Sequence, residues 1–184
     1  MPERPLVEAF LPTRMLTTFV IAPERPDHPE VAELLAELDR YLASLYPPEA
    51  NHILDLQALA APEVSFYTAR LDGRVAGCAA VRRQGGEPAT RGEPYGEVKR
   101  MMVRPDCRGR GIGAALLRTL ERRLREEGIG LALLETGRTQ HEAVRLYEAA
   151  GYRPRTAFGG YPDNGLSAFY AKRLDAASSQ EAAA

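Results

Sequence analysis

The stretch EVKRMMVRPDCRGRGIGAALL, residues 97–117, decides how this chain is read. Glu97 to Val103 has the composition of a strand, and Arg104 to Gly111 is a turn rich in Arg and Gly. Ile112, Leu116, Leu120 and Leu124 then recur every four residues, with Arg118, Glu121, Arg122 and Arg125 on other faces. That is an amphipathic helix, closed by Gly128. Leu131 to Glu135 is a continuous apolar run, as in a buried parallel strand. Strand 97–103, helix 111–127 and strand 130–135 therefore form one βαβ unit, expected to be parallel and right-handed.

At the turn stands Arg108-Gly109-Arg110-Gly111-Ile112-Gly113. Glycine lets the backbone take positive φ and lets a ligand approach closely. Amides converging beside a helix N-terminus favour an anion such as a diphosphate. A merely tight turn needs one glycine rather than three. Arg104, Arg108 and Arg110 flank the loop, so the cluster reads as a phosphate site for one nucleotide cofactor.

Outward from this unit, Thr17 to Ile21 reads as a short strand. A helix comes next, with Asp27 as cap, Pro29 in its first turn and Glu30 in a capping-box position. Its apolar stripe runs through Val31, Leu34, Leu35, Leu38, Tyr41, Leu42 and Leu45, and Pro47-Pro48 stop it. Asn51 is positioned to cap a shorter helix. Val64–Leu71 and Arg74–Arg82, joined by Asp72-Gly73, read as a β-hairpin, and Gln84–Pro94 as a loop. After residue 135, Thr139 and Glu142 form a second capping box. Ala143, Leu146, Tyr147 and Ala150 give that helix its apolar face, Gly151 closes it, and Ser167–Leu174 is a last strand. The expected fold is α/β (α+β): a mixed, mostly antiparallel sheet with a central parallel pair, flanked by helices.

The 184 residues suit one domain, expected over 14–174, with residues 1–13 mobile and 175–184 a disordered tail. Hydrophobic residues are 45% and charged residues 27%, ordinary for a soluble globular chain. Lys+Arg 24 against Asp+Glu 25 gives a net charge of -1, which argues against nucleic acid as a partner. Cys78 and Cys107 make no disulfide framework, and no His/Cys cluster has metal-ligand spacing, so no metal is expected. Membrane association is not expected either: no apolar run is long enough to span, and Pro2, Glu3 and Pro5 stand where a signal peptide needs a basic stretch and an apolar core. A cytoplasmic protein is the default.

Two nucleotide readings fit the loop. As Gly109-x-Gly111-x-x-Ala114 it matches a dinucleotide fingerprint, with Glu135 ending the next strand. Against this, the unit lies more than 90 residues into the chain and no second βαβ unit comes after it. The other is a resemblance. Arg108-x-x-Gly111-x-Gly113 is similar to the Arg/Gln-x-x-Gly-x-Gly/Ala motif of the GNAT superfamily, the GCN5-related N-acetyltransferases. Lys99-Arg100-Met101-Met102-Val103-Arg104-Pro105 resembles the strand and turn leading into that motif. Ala143-x-x-Leu146-Tyr147-Glu148-x-x-Gly151-Tyr152 resembles the segment after it. The resemblance covers about residues 15–174.

The resemblance implies that acetyl-CoA, as co-substrate, lies where strands 97–103 and 130–135 splay apart. Backbone groups of Met101, Met102 and Val103 would meet the pantetheine arm. Amides of Gly109, Arg110, Gly111, Ile112, Gly113 and Ala114, beside Arg108, would hold the pyrophosphate. Gln140 stands where the family often has a cofactor-contacting Asn. Tyr147 matches the tyrosine that protonates the leaving thiolate; the alternative is a core aromatic. Glu97 and Glu135 both have the spacing of a base used in parts of the family, Glu97 being favoured; either could instead pair with Arg100, Arg138 or Arg145. Cys107 is not expected to act as a nucleophile, because the family transfers acetyl directly. The loop Ala157–Asn164, with Tyr161, would shape the acceptor pocket. The acceptor would be a small-molecule amine or a peptide N-terminus, and a homodimer is left open. Beside this N-acetyltransferase reading stand an acyl-CoA-binding sensor without turnover and a small NAD(P)-dependent oxidoreductase.

Overall fold

A computed structural model describes residues 18–47, 53–163 and 165–174. The expected mobile N-terminus and C-terminal tail, the start of the first strand at Thr17 and the Asn51 cap lie outside these residues.

Seven strands form one sheet: β1 Phe19–Pro23, β2 Val64–Leu71, β3 Arg74–Gln84, β4 Tyr95–Val103, β5 Leu131–Gly137, β6 Arg153–Arg155 and β7 Ser167–Arg173. Their spatial order is β1-β2-β3-β4-β5-β7-β6. Every neighbouring pair is antiparallel except β4 with β5. The helices are α1 Pro29–Leu45, α2 Leu56–Leu59, α3 Ile112–Glu126 and α4 His141–Ala149. The mixed sheet with a central parallel pair is as expected. A single parallel pair is not the doubly wound sheet a dinucleotide-binding fold requires.

The βαβ unit organises the molecule. Ile112, Leu116, Leu117, Leu120 and Leu124 of α3 are fully buried against the sheet, with Tyr147 and Tyr152 in the same cluster. Each such side chain contributes roughly 1.5–3 kcal/mol by leaving water. The other face carries α1 and α2 over Phe66, Val75, Cys78 and Ala80, and a third cluster joins Tyr95, Leu131, Leu133 and Phe169 to Phe158 of the β6–β7 loop.

Several local expectations are corrected. The N-cap of α1 is His28 and makes no side-chain cap bond. Asp27 instead accepts from Arg25, and Glu30 from Arg70. The N-cap of α4 is Gln140, with Thr139 bonded to Tyr46 and Glu142 to Arg108. In each case a nearby Arg or Tyr partner takes the capping side chain. The buried stripe of α1 ends at Leu38, and Tyr41 and Leu45 are exposed. The short strand β6 is not expected from sequence, because Arg153-Pro154-Arg155 has no strand composition. It survives at the sheet edge, where a proline costs least.

One irregularity in β4 shapes the sheet beside it. Cys78 of β3 pairs with Met102 and Ala80 with Lys99, so β4 carries an extra residue there. Arg100 sits in this bulge at φ 55°, and a bulge bends and twists its strand.

Candidate active site

The pairing of β4 with β5 is short: Gly96 with Ala132, Glu97 with Leu133 and Val98 with Leu134. Beyond Val98 the bulged β4 stays with β3, while Glu135, Thr136 and Gly137 of β5 stay with β7. The two parallel strands therefore part, and the edge of β4 from Lys99 to Val103 that faces β5 has no strand partner among the described residues. Unpaired strand edges offer amide and carbonyl groups to a ligand.

A cavity of about 110 Å³ occupies the split. Val98, Lys99, Arg100 and Met101 line one arm, and Glu135, Thr136 and Gly137 the other. Gln140, Tyr147 and Ser167 complete the polar lining, and Leu38, Leu42 and Tyr46 of the α1 end form a roof at spacing four. Gly137 makes room for that roof: a Cβ there would lie 1.6 Å from the Tyr46 hydroxyl. Tyr46 also meets Thr139 Oγ1 at 3.1 Å and Gln140 Nε2 at 3.5 Å, so α1 is tied across the split to the start of α4.

The glycine loop runs from the unpaired end of β4 into α3. Gly109 and Gly111 have φ of 73° and 81°, and Gly111 is the helix N-cap with no side-chain partner for the first amides. Gly113 lies against Leu146 of α4, where a Cβ would approach to 3.3 Å. Arg108 donates to the Val103 carbonyl at 3.2 Å and to Glu142 at 2.7 Å. The wider arginine cluster divides. Arg104 is buried and donates to the Val75 carbonyl and to Glu37 of α1, so its charge does not serve the loop. Arg100 likewise pairs with Asp39. Arg108 and Arg110 remain beside the glycines.

Tyr147 is buried, packs edge-on to Tyr152 at 6.0 Å and faces the cavity. Burial first, and then the charge on Glu135, push its pKa well above the ordinary value, so the phenol stays protonated. Glu135 lines the same cavity and accepts from Ser167 Oγ at 2.5 Å.

Glu97 is placed differently. It is fully buried and does not line the cavity. Arg82 donates to it at 2.8 Å, Tyr161 donates to its other oxygen, and Lys99 lies 3.5 Å away. Burial alone would raise its pKa; the charge on Lys99, the Tyr161 hydroxyl and Arg82 outweigh burial and hold it below the ordinary value. Its partners are thus Arg82, Lys99 and Tyr161, not Arg100, Arg138 or Arg145. The sequence motifs do not single out Lys99, although in a strand it shares a face with Glu97 two residues away.

Burial and then the Asp106 carboxylate raise the Cys107 thiol pKa, which disfavours a thiolate nucleophile. Among the described residues no group of three or more His, Cys, Asp or Glu could hold a metal, and no helix is long and apolar enough to cross a membrane.

A splayed parallel pair with a glycine loop at the start of the next helix is what the sequence motifs imply, and comparison with known proteins decides the matter. The model of the acetyltransferase (GNAT) family matches residues 29–152. The chain belongs to this family. It is 46% identical over 156 residues to an IAA acetyltransferase of Azospirillum brasilense, covering 84% of this chain and 97% of that protein. A solved structure from Klebsiella pneumoniae subsp. pneumoniae, assigned as an acyl-CoA N-acyltransferase, superposes with TM-score 0.68 at 31% identity, covering 86% of this chain and 99% of that one. The fold is also that of the PaiA N-acetyltransferase of Thermoplasma acidophilum, solved in complex with coenzyme A, at TM-score 0.63 and 15% identity over 85% of this chain and 99% of that one. This GNAT chain is therefore an N-acetyltransferase with the family's mixed sheet.

Proposed function

We propose that this acetyltransferase moves an acetyl group from acetyl-CoA directly to the primary amine of a small molecule. The observation that carries the reading is the parting of β4 and β5 after Val98 and Leu134, with the unpaired β4 edge leading into the glycine loop at one end and Tyr147 and Glu135 facing the cavity at the other. The backbone of Met101, Met102 and Val103 would take the pantetheine arm as an added strand. The amides of Gly109 to Ala114, with Arg108 and Arg110, would take the pyrophosphate. Gln140, tied to Tyr46, would stand beside the thioester.

The amine must lose a proton to attack, and the departing sulfur must gain one. Glu135 is the better-placed base: it lines the cavity, whereas Glu97 is buried behind Lys99 and pinned by Arg82 and Tyr161. As the C–N bond forms and the C–S bond breaks, Tyr147 donates its proton to sulfur. The proton taken from nitrogen by Glu135, directly or through water, restores the phenol. A cavity of about 110 Å³ under a roof of Leu38, Leu42 and Tyr46 fits a small amine better than a peptide terminus.

Thiol release from acetyl-CoA over a panel of small amines and short peptides tests the reading. Turnover with small amines supports it. Acetyl-CoA binding with no turnover on any acceptor would leave a sensor domain instead, and a thermal shift with NAD(P) but none with acetyl-CoA would favour an oxidoreductase.

A further inference from the structure

Glu135 is the first residue of β5 beyond its last pair with β4, so one flank of it borders the split while the other stays in the ladder with β7. In that ladder Glu135 stands opposite Phe169, and Gly137 opposite Ser167. Residues two apart on a strand share a face, so Glu135 and Ser167 are diagonal neighbours on one face of the sheet. Gly137 offers Ser167 no side chain directly across the ladder. The Ser167 hydroxyl reaches the diagonal neighbour instead and donates to Glu135 Oε1 at 2.5 Å. That is the length of a hydrogen bond from a hydroxyl to a carboxylate, which is stronger than one between neutral groups. Both residues line the cavity. Among the described residues Glu135 has no ion pair and no other side-chain hydrogen bond. Glu97, by contrast, is held by Arg82, Tyr161 and Lys99. One hydroxyl therefore sets where the Glu135 carboxylate sits, and Oε2 is left to the cavity.

We propose that Ser167 is a positioning residue that acts through Glu135, fixing Oε1 so that Oε2 faces the acceptor amine. This rests on the reading above in which Glu135 is the base of the acetyltransferase. A base must lie within hydrogen-bond reach of the nitrogen it deprotonates, directly or through one water. A glutamate side chain left free spreads over several rotamers and pays entropy to adopt the productive one. A misplacement of about 1 Å can cost a hundredfold in rate. The hydrogen bond from Ser167 removes that freedom before the amine arrives. Ser167 gives up no proton: its hydrogen stays on Oγ, bonded to Oε1, while Oε2 takes the proton that leaves the nitrogen. The serine thus orients the base, as the third member of a nucleophile–base–orienter set does.

The test is a double-mutant cycle on Ser167→Ala and Glu135→Gln, with Ser167→Thr as the variant that keeps the hydroxyl. Each protein is loaded with acetyl-CoA and mixed with the small amine of highest turnover in the panel above, and thiol release is followed over a single turnover. Ser167→Ala should slow the rate at saturating amine by about tenfold, the scale of one hydrogen bond to a charged group, with a smaller change in the amine KM. Ser167→Thr should restore most of the rate. In the Glu135→Gln background Ser167→Ala should cost less than about twofold, because the group it positions has lost its function. Calorimetric acetyl-CoA affinity within about twofold of wild type shows that each variant is folded. An unchanged rate in folded Ser167→Ala beside an impaired Glu135→Gln would overturn the positioning role and leave the base in place. The same would follow from equal costs of Ser167→Ala in both backgrounds, from equal losses in the Ala and Thr variants, or from a loss confined to the amine KM. An unimpaired Glu135→Gln would overturn the base assignment and the positioning role with it. No acetyl-CoA-dependent thiol release by the wild-type protein with any amine would overturn the acetyltransferase reading itself.

Discussion

Val98 of β4 and Leu134 of β5 are the last residues at which the two parallel strands are paired. Below them the strands share a ladder and the core. Above them the bulge at Arg100 keeps β4 with β3, and β7 keeps β5. One point in the sheet thus separates structure from site, and the groups assigned to chemistry gather just beyond it.

Tyr147→Phe removes the proposed proton donor and little else, since the Tyr147 hydroxyl makes no hydrogen bond among the described residues and the ring stays against Tyr152. kcat should fall by about 10²-fold with acetyl-CoA affinity unchanged. Steady-state kinetics beside calorimetry check this; unchanged turnover would remove Tyr147 from the mechanism.

Glu135→Gln and Glu97→Gln should separate catalysis from stability. Glu135→Gln should lower kcat by about tenfold or more at neutral pH with the melting temperature nearly unchanged. Glu97→Gln leaves Arg82 and Lys99 facing a neutral amide, at a cost of about 3 kcal/mol. That is a loss on the order of 10 °C in melting temperature. The Glu97 pKa is lower in the folded than in the unfolded chain. Its stabilisation is therefore fully present above the ordinary value of 4.5 and is lost as pH falls through the folded value. The gap in stability between wild type and Glu97→Gln should be constant from pH 6 to 8 and close on the acid side. A gap that widened on acidification would contradict the ion-pair assignment.

Gly111→Asp places a carboxylate where the loop amides and the helix start favour an anion. Gly111→Asn is the control, because Asn tolerates the left-handed backbone and carries no charge. The acetyl-CoA dissociation constant should rise by about tenfold or more for Asp and clearly less for Asn. Equal effects would reduce the loop's role to backbone geometry.

Gly137→Ala drives a methyl group into the Tyr46 hydroxyl and should cost about 1–3 kcal/mol. In a Tyr46→Ala background the same change should cost much less. This non-additivity, read from denaturant unfolding, reports the contact across the split. Additive costs would contradict it.

The parts of the fold built from local pattern are legible in the sequence. The βαβ unit comes from the period of Ile112 to Leu124 and the run Leu131 to Glu135, and the hairpin from Asp72-Gly73. What escapes depends on partners distant in sequence. Arg104 has the position of a phosphate ligand, but Glu37, 67 residues earlier, holds it. Lys99 gains meaning from Tyr161, 62 residues later. Two caps fail because Arg25 and Tyr46 offer their side chains other bonds. Spacing leaves two glutamates open as the base; the structure buries Glu97 among Arg82, Lys99 and Tyr161 and sets Glu135 at the cavity, and neither placement is written in the spacing.

The central claim is direct transfer in a ternary complex at the split. The measurement that tests it most directly is the initial rate of thiol release over a matrix of acetyl-CoA and small-amine concentrations. Intersecting double-reciprocal lines, with an acetylated amine formed for each thiol released, are the predicted result. Parallel lines, as given by a covalent acetyl-enzyme, or thiol release independent of the amine, would contradict it.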